Sequence, residues 1–175
     1  GEYLDELFTM ELDDGHIAAT EDITRDGIIG NYVHGNEPGH HVAYLYRWTD
    51  RPWRTQERVR HILDTMYGTG PDGLCGNDDA GQMSAWYLFS ALGFYPLCSG
   101  SPRYELGSPL VESAVIHLEN GATLTIRAEN QSPRNIYVKR VRVDGRTIDR
   151  PYLTHAELAD GGEVVFEMGA EPASR

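Results

Sequence analysis

Apolar residues recur at helical spacing through the first half of the chain and at alternate positions through its last third. Tyr3, Leu4, Leu7 and Phe8 form a short amphipathic stripe. Between Pro38 and Trp48, the residues Val42, Leu45, Tyr46 and Trp48 share much of one helical face. Val59, Ile62, Leu63 and Met66 form the next stripe, on a helix that Asp50 can cap and that carries Pro52 near its first turn. A fourth helix is expected from Ala80 to Leu92, with Met83, Trp86, Tyr87 and Ser90 on one side and Gly93 as its stop.

After Pro96 the period is two. Val115–Leu118 and Leu124–Ala128 flank Asn120-Gly121, and Ile136–Val143 and Arg146–Ile148 flank Asp144-Gly145. Both pairs read as hairpins closed by tight turns. A third hairpin is expected from His155–Leu158 and Val164–Phe166 around Asp160-Gly161-Gly162. The chain is therefore expected to be α+β: a helical region over 1–97, a linker rich in Ser, Gly and Pro over 98–109, and an antiparallel β module over 110–175.

Composition narrows the function classes. The 27 acidic residues outnumber the 15 basic ones among 175, a formal charge of −12, which argues against a nucleic-acid or anionic-membrane partner. Nine of the acidic residues lie within residues 1–30 and are read as a solvated face. No apolar run approaches the roughly 20 residues that span a bilayer, and no basic-then-apolar signal opens the chain. Because the first residue is Gly1 rather than Met, a piece of a longer protein is expected. Cys75 and Cys98 lack metal-ligand spacing. They read either as a disulfide suited to a secreted protein or as two unrelated thiols.

Two loops carry the candidate chemistry. The first, His34-Gly35-Asn36-Glu37-Pro38-Gly39-His40-His41, crowds three imidazoles, a carboxylate and an amide beside two glycines that let backbone carbonyls approach a ligand. Asn36, Glu37 and Pro38 also suit the start of a helix, and spacing alone does not separate capping from ligand binding. If a metal binds, the adjacent His40 and His41 diverge on a helix, whereas oxygens from Asn36, Glu37 and nearby carbonyls suit Ca²⁺ better than zinc. The second loop is Gly76-Asn77-Asp78-Asp79-Ala80-Gly81-Gln82. Asp79 and Gln82 have the form of a capping box, and a carboxylate at a helix N-terminus is also held ionised, ready to act as a general base. Trp86 reads as core. Trp53 reads as surface packing or as a platform for a sugar ring. His61 and His117 read as structural.

The runs Tyr32–His41, Pro52-Trp53-Arg54-Thr55-Gln56, Gly76–Tyr87 and Phe89–Pro96 together resemble glycoside hydrolase family 92, whose members are calcium-dependent, inverting exo-α-mannosidases. The resemblance covers nearly the whole chain in order. It implies that residues 1–97 are the last helices of an (α/α)₆ toroid, followed by the β segment. It places the general base on Asp79, and Asn77 where some members carry a second Asp. It places Asn36 and Glu37 among the calcium ligands, and His34 at the sugar; Trp53 is kept as the candidate sugar platform. It also places the general acid on a Glu upstream, in a motif absent from this sequence, so the isolated chain is expected to be inactive. The implied partners are a mannose-containing glycan, with an α-1,2 linkage favoured, and the rest of the parent chain. The implied location is secreted or periplasmic, in a bacterium. A non-catalytic carbohydrate-binding or structural module, or a related toroid glycosidase or phosphorylase, is the rival reading.

Overall fold

The computed structural model describes residues 1–11 and 27–173; most of the acidic run near the start lies outside them. Helix α1 (Glu2–Thr9) buries Phe8, and a two-stranded ribbon follows, β1 (Ile28–Ile29) with β2 (Tyr32–Val33). The expected helix from Pro38 to Trp48 is wound as two tighter 3₁₀ stretches, Glu37–Gly39 and Val42–Trp48. Helix α2 (Arg54–Thr65) starts without a side-chain cap, so Asp50 does not serve as one. Its stripe of Val59, Ile62, Leu63 and Met66 is buried as the periodicity requires. Helix α3 (Gln82–Leu92) ends at Gly93, whose φ of 102° lets its N–H reach back to Phe89 and Ser90 carbonyls.

The β half contains β3 (Phe94–Tyr95), β4 (Arg103–Leu106), β5 (Ser113–His117), β6 (Thr123–Glu129), β7 (Tyr137–Val143), β8 (Arg146–Ile148), β9 (Tyr152–Thr154) and β10 (Gly162–Gly169). The first two expected hairpins form, β5 with β6 and β7 with β8. The third does not. His155–Ala159 is a short helix, α4, because Thr154 and Glu157 make a reciprocal capping box at its start. Strand β10 instead runs to the middle of a five-stranded sheet ordered β5-β6-β10-β7-β8, antiparallel to β7 but parallel to β6. The connection from β6 through β7, β8, β9 and α4 supplies the length that a parallel neighbour needs. The segment expected as a linker contains β4, which joins β3 to β9 in a second sheet.

The two halves are fastened at named points. Gly93 lies where a Cβ would come within 2.9 Å of the Phe166 ring and 3.1 Å of Pro109, so the end of α3 rests on the β core. Arg60 of α2, only 3% exposed, donates to the carbonyls of Pro109 and Ser132 and to the Ser108 hydroxyl. Removing the guanidinium in Arg60→Ala strands these acceptors in a dry environment. The loss should be about 3 kcal/mol, read as a lower urea midpoint at unchanged slope.

Candidate functional site

The two chemistry-bearing loops lie against each other. A Cβ on Gly35 would fall 2.5 Å from the Cys75 carbonyl oxygen, and one on Gly76 would fall 2.4 Å from the Gly35 carbonyl oxygen. Only glycine permits backbones this close. Cys75 is buried in the contact, whereas Cys98 is exposed on another loop, and no disulfide joins them.

Beneath the contact is a network of neutral polar groups. His34 is 0% exposed and has Tyr32 Oη 2.8 Å from Nδ1 and Tyr67 Oη 2.6 Å from Nε2. Tyr67 donates its single hydroxyl proton to the Met83 carbonyl at 3.2 Å. It must therefore accept from His34 Nε2–H, which leaves Nδ1 to accept from Tyr32. Burial, with His40 alongside, pushes the His34 pKa down to about 3, consistent with this neutral tautomer. His40 stacks on His34 at 4.7 Å, and its pKa is also lowered by burial. Its Nε2–H donates to the His34 carbonyl at 3.0 Å, and Trp86 Nε1–H donates to the His40 carbonyl at 3.0 Å.

This arrangement corrects the expectation that His34 touches sugar. It is fully buried with both ring nitrogens engaged, so it supports the loop from below. Glu37 lies on the wall of a cleft of about 350 Å³ that also includes His40, His41, Gln82 and Tyr95. Its Oε1 is buried without a hydrogen-bond partner. Such an atom is costly unless something else meets it, as a hard cation would. Asn36 is exposed beside it. No cluster of three or more His, Cys, Asp or Glu side chains poised for a metal occurs among the described residues.

The acidic loop is built differently from a capping box. Helix α3 has no side-chain cap from Asp79. Asp78 does the tying instead: its Oδ1 accepts from Ser84 N–H and its Oδ2 from the Ser84 hydroxyl, both at 2.8 Å. The turn between these anchors holds three successive residues at positive φ: Asp79 at 40°, Ala80 at 59° and Gly81 at 91°. For the first two this is a strained conformation, of the kind that concentrates at functional sites. Asp79 is left exposed. Asn77 and Asp78 border a separate cleft of about 900 Å³ with His61, Tyr67 and Asp72. Trp53 is not part of this assembly; it lines a third cleft with Arg47, Gln56 and Arg150 where the helical and β halves meet.

The supporting roles of His40, Tyr67, Asp78 and Tyr95 were not legible from spacing. For Tyr67 the signal is a polar tip on a residue that continues the apolar stripe of Val59, Leu63 and Met66; His40 and Asp78 sit in polar loops that carry no such signal.

The family model for the glycosyl hydrolase family 92 catalytic domain matches residues 2–170. The chain is similar to the family GH92 alpha-mannosidase BT3965 from Bacteroides thetaiotaomicron in complex with mannoimidazole, at 48% identity and a TM-score of 0.91, over 98% of this chain and 22% of that one. It is also similar to the family GH92 inverting mannosidase BT2199 from the same organism, at 36% identity and a TM-score of 0.78, over 98% of this chain and 24% of that one. A protein from Arthroderma benhamiae named as an uncharacterized secreted glycosidase is 29% identical over 143 residues, which are 80% of this chain and 18% of that protein. The chain thus spans about a fifth of the length of these relatives.

The glycine contact is testable by a single methyl. Gly76→Ala drives a Cβ into the backbone of Gly35, which cannot swing aside as a side-chain tip can. The expected cost is about 1–3 kcal/mol, measured by thermal unfolding.

Proposed function

The chain belongs to glycosyl hydrolase family 92, and from that premise we propose that it is the base-bearing part of an inverting, calcium-dependent exo-α-mannosidase that trims terminal mannose, with an α-1,2 linkage favoured, from glycans. The observation that carries this reading is the exposed Asp79 on a strained turn, held by Asp78 and Ser84 and packed through Gly76 against the Glu37 loop. The similarity to two mannosidases at 48% and 36% identity, one of them named as inverting, supports the substrate class and the stereochemistry.

In this mechanism Asp79 takes a proton from a water molecule, which Asn77 helps to orient. The water oxygen bonds to the anomeric carbon as the glycosidic bond breaks on the opposite face. The departing oxygen receives its proton from a carboxylic acid upstream of this segment, since an inverting enzyme needs two carboxyl groups roughly 6.5–9.5 Å apart. Glu37 and Asn36 would hold the calcium ion, with Glu37 Oε1 already desolvated for the purpose. Bound there, calcium supplies attraction for sugar hydroxyls and favours ring distortion toward an oxocarbenium-like transition state. His34 and His40 keep the Glu37 loop in place from beneath. The substrate is a mannose-containing glycan, and the partner is the rest of the parent chain. A secreted or periplasmic location accords with the relative named as a secreted glycosidase.

Two measurements on the full-length enzyme test the reading. Asp79→Asn keeps a residue that tolerates the left-handed backbone but removes the base. Turnover should fall roughly 10²–10⁴-fold while the unfolding temperature stays close to wild type. Near-full turnover in Asp79→Asn together with a dead Asp78→Asn would move the base to Asp78. Separately, stripping calcium with a chelator should abolish mannose release, and added Ca²⁺ should restore it; undiminished activity in excess chelator would remove the metal from the mechanism.

A further inference from the structure

The Glu37 cleft contains a second oxygen whose direction is fixed by chemistry. His40 Nε2 lies 3.0 Å from the His34 carbonyl oxygen, which can only accept, so Nε2 carries the proton and Nδ1 presents a lone pair. Gln82 Nε2 lies 3.3 Å from that Nδ1 and 3.0 Å from Tyr95 Oη. Only the amino end of an amide can meet an imidazole lone pair, so the orientation of the Gln82 amide follows from the His40 tautomer. Both amide N–H groups are then spent. The amide oxygen Oε1 is turned away from His40 and makes no hydrogen bond to any described residue. Gln82 lines the same cleft as Glu37, whose own buried Oε1 lacks a hydrogen-bond partner.

We propose that Gln82 Oε1 is a neutral protein ligand beside Glu37 for the cation of this site, aimed by His40 and Tyr95. This inference rests on the calcium reading and adds a residue to it. One anionic oxygen and one amide oxygen form a hard donor pair, leaving other positions for carbonyls, water or sugar hydroxyls. The same geometry disfavours a zinc-type centre, because both ring nitrogens of His34 and of His40 are committed within the network. His40 and Tyr95 are positioning residues here, since they act through the amide.

The test is calorimetric titration of Ca²⁺ alone into the metal-stripped full-length chain, without sugar. Gln82→Met preserves length and removes the oxygen, and should weaken Ca²⁺ binding by about 100-fold. Tyr95→Phe keeps the oxygen but frees one anchor of the amide, and should weaken binding by about 10-fold. Should Gln82→Met fail to fold, Gln82→Asn, which retracts the same amide by one methylene, carries the same expectation. Wild-type Ca²⁺ affinity in Gln82→Met overturns the proposal, including the case where its KM for substrate rises, since the oxygen then faces the sugar. A wild-type chain that takes up no Ca²⁺ and works in chelator overturns the calcium reading itself, an outcome distinct from wild-type binding that survives the loss of Gln82.

Discussion

Two loops that line neighbouring clefts are held together here because their backbones touch at Gly35 and Gly76. With a Cβ at either position the loops would have to part, since the opposing atoms are carbonyl oxygens 2.4–2.5 Å from where that carbon would sit. Parting them would move the loop of Glu37 away from the loop of Asp79 and would strain the His34–Tyr67–Met83 chain that ties the first loop to α3. The glycines therefore determine which residues are neighbours before any functional group is considered.

Electrostatics explains why the support beneath this contact is uncharged. Two imidazoles stacked at 4.7 Å in a dry interior cannot both be protonated without severe repulsion and desolvation. The protons are instead ordered in one direction: Tyr32 donates to His34, His34 to Tyr67 and Tyr67 to the Met83 carbonyl. Charge is kept for the rim. Asp78 spends its carboxylate on Ser84, which closes the turn from both ends, and the exposed Asp79 carboxylate holds no partner among the described residues. The strain in Asp79 and Ala80 is sustained because the neighbouring bonds over-determine the turn.

Much of this was legible in the sequence, and the remainder was hidden for physical reasons. Periodicity found α1, α2 and α3, the buried stripe of α2, the Gly93 stop and two hairpins, because each depends on local burial or a local turn. It missed β10 beside β6, since a parallel pairing is decided by distant residues. It misread His155–Leu158 as a strand because the capping box of Thr154 and Glu157 outweighed an ambiguous apolar pattern. Spacing singles out the two loops, which the fold brings into contact, but it does not separate the roles within them. His34 looked like a sugar contact and is a buried support. Asp79 looked like a cap, and the tie belongs to its neighbour Asp78. In each case the deciding fact was which atom faces inward, and a motif does not carry that.

Helix α3 ties these observations together. Its first turn anchors the acidic loop through Ser84 and reaches the Glu37 loop through Gln82 and His40, while its last residue rests on the β core through Gly93. A shift of α3 would carry both loops with it, so the relation between the proposed base and the proposed metal ligands is preserved as a unit. On the proposed mechanism the acid belongs to the rest of the parent chain, outside this unit. The gap between the two carboxyl groups, which distinguishes inversion from retention, is then set by how the remainder of the enzyme docks on this segment.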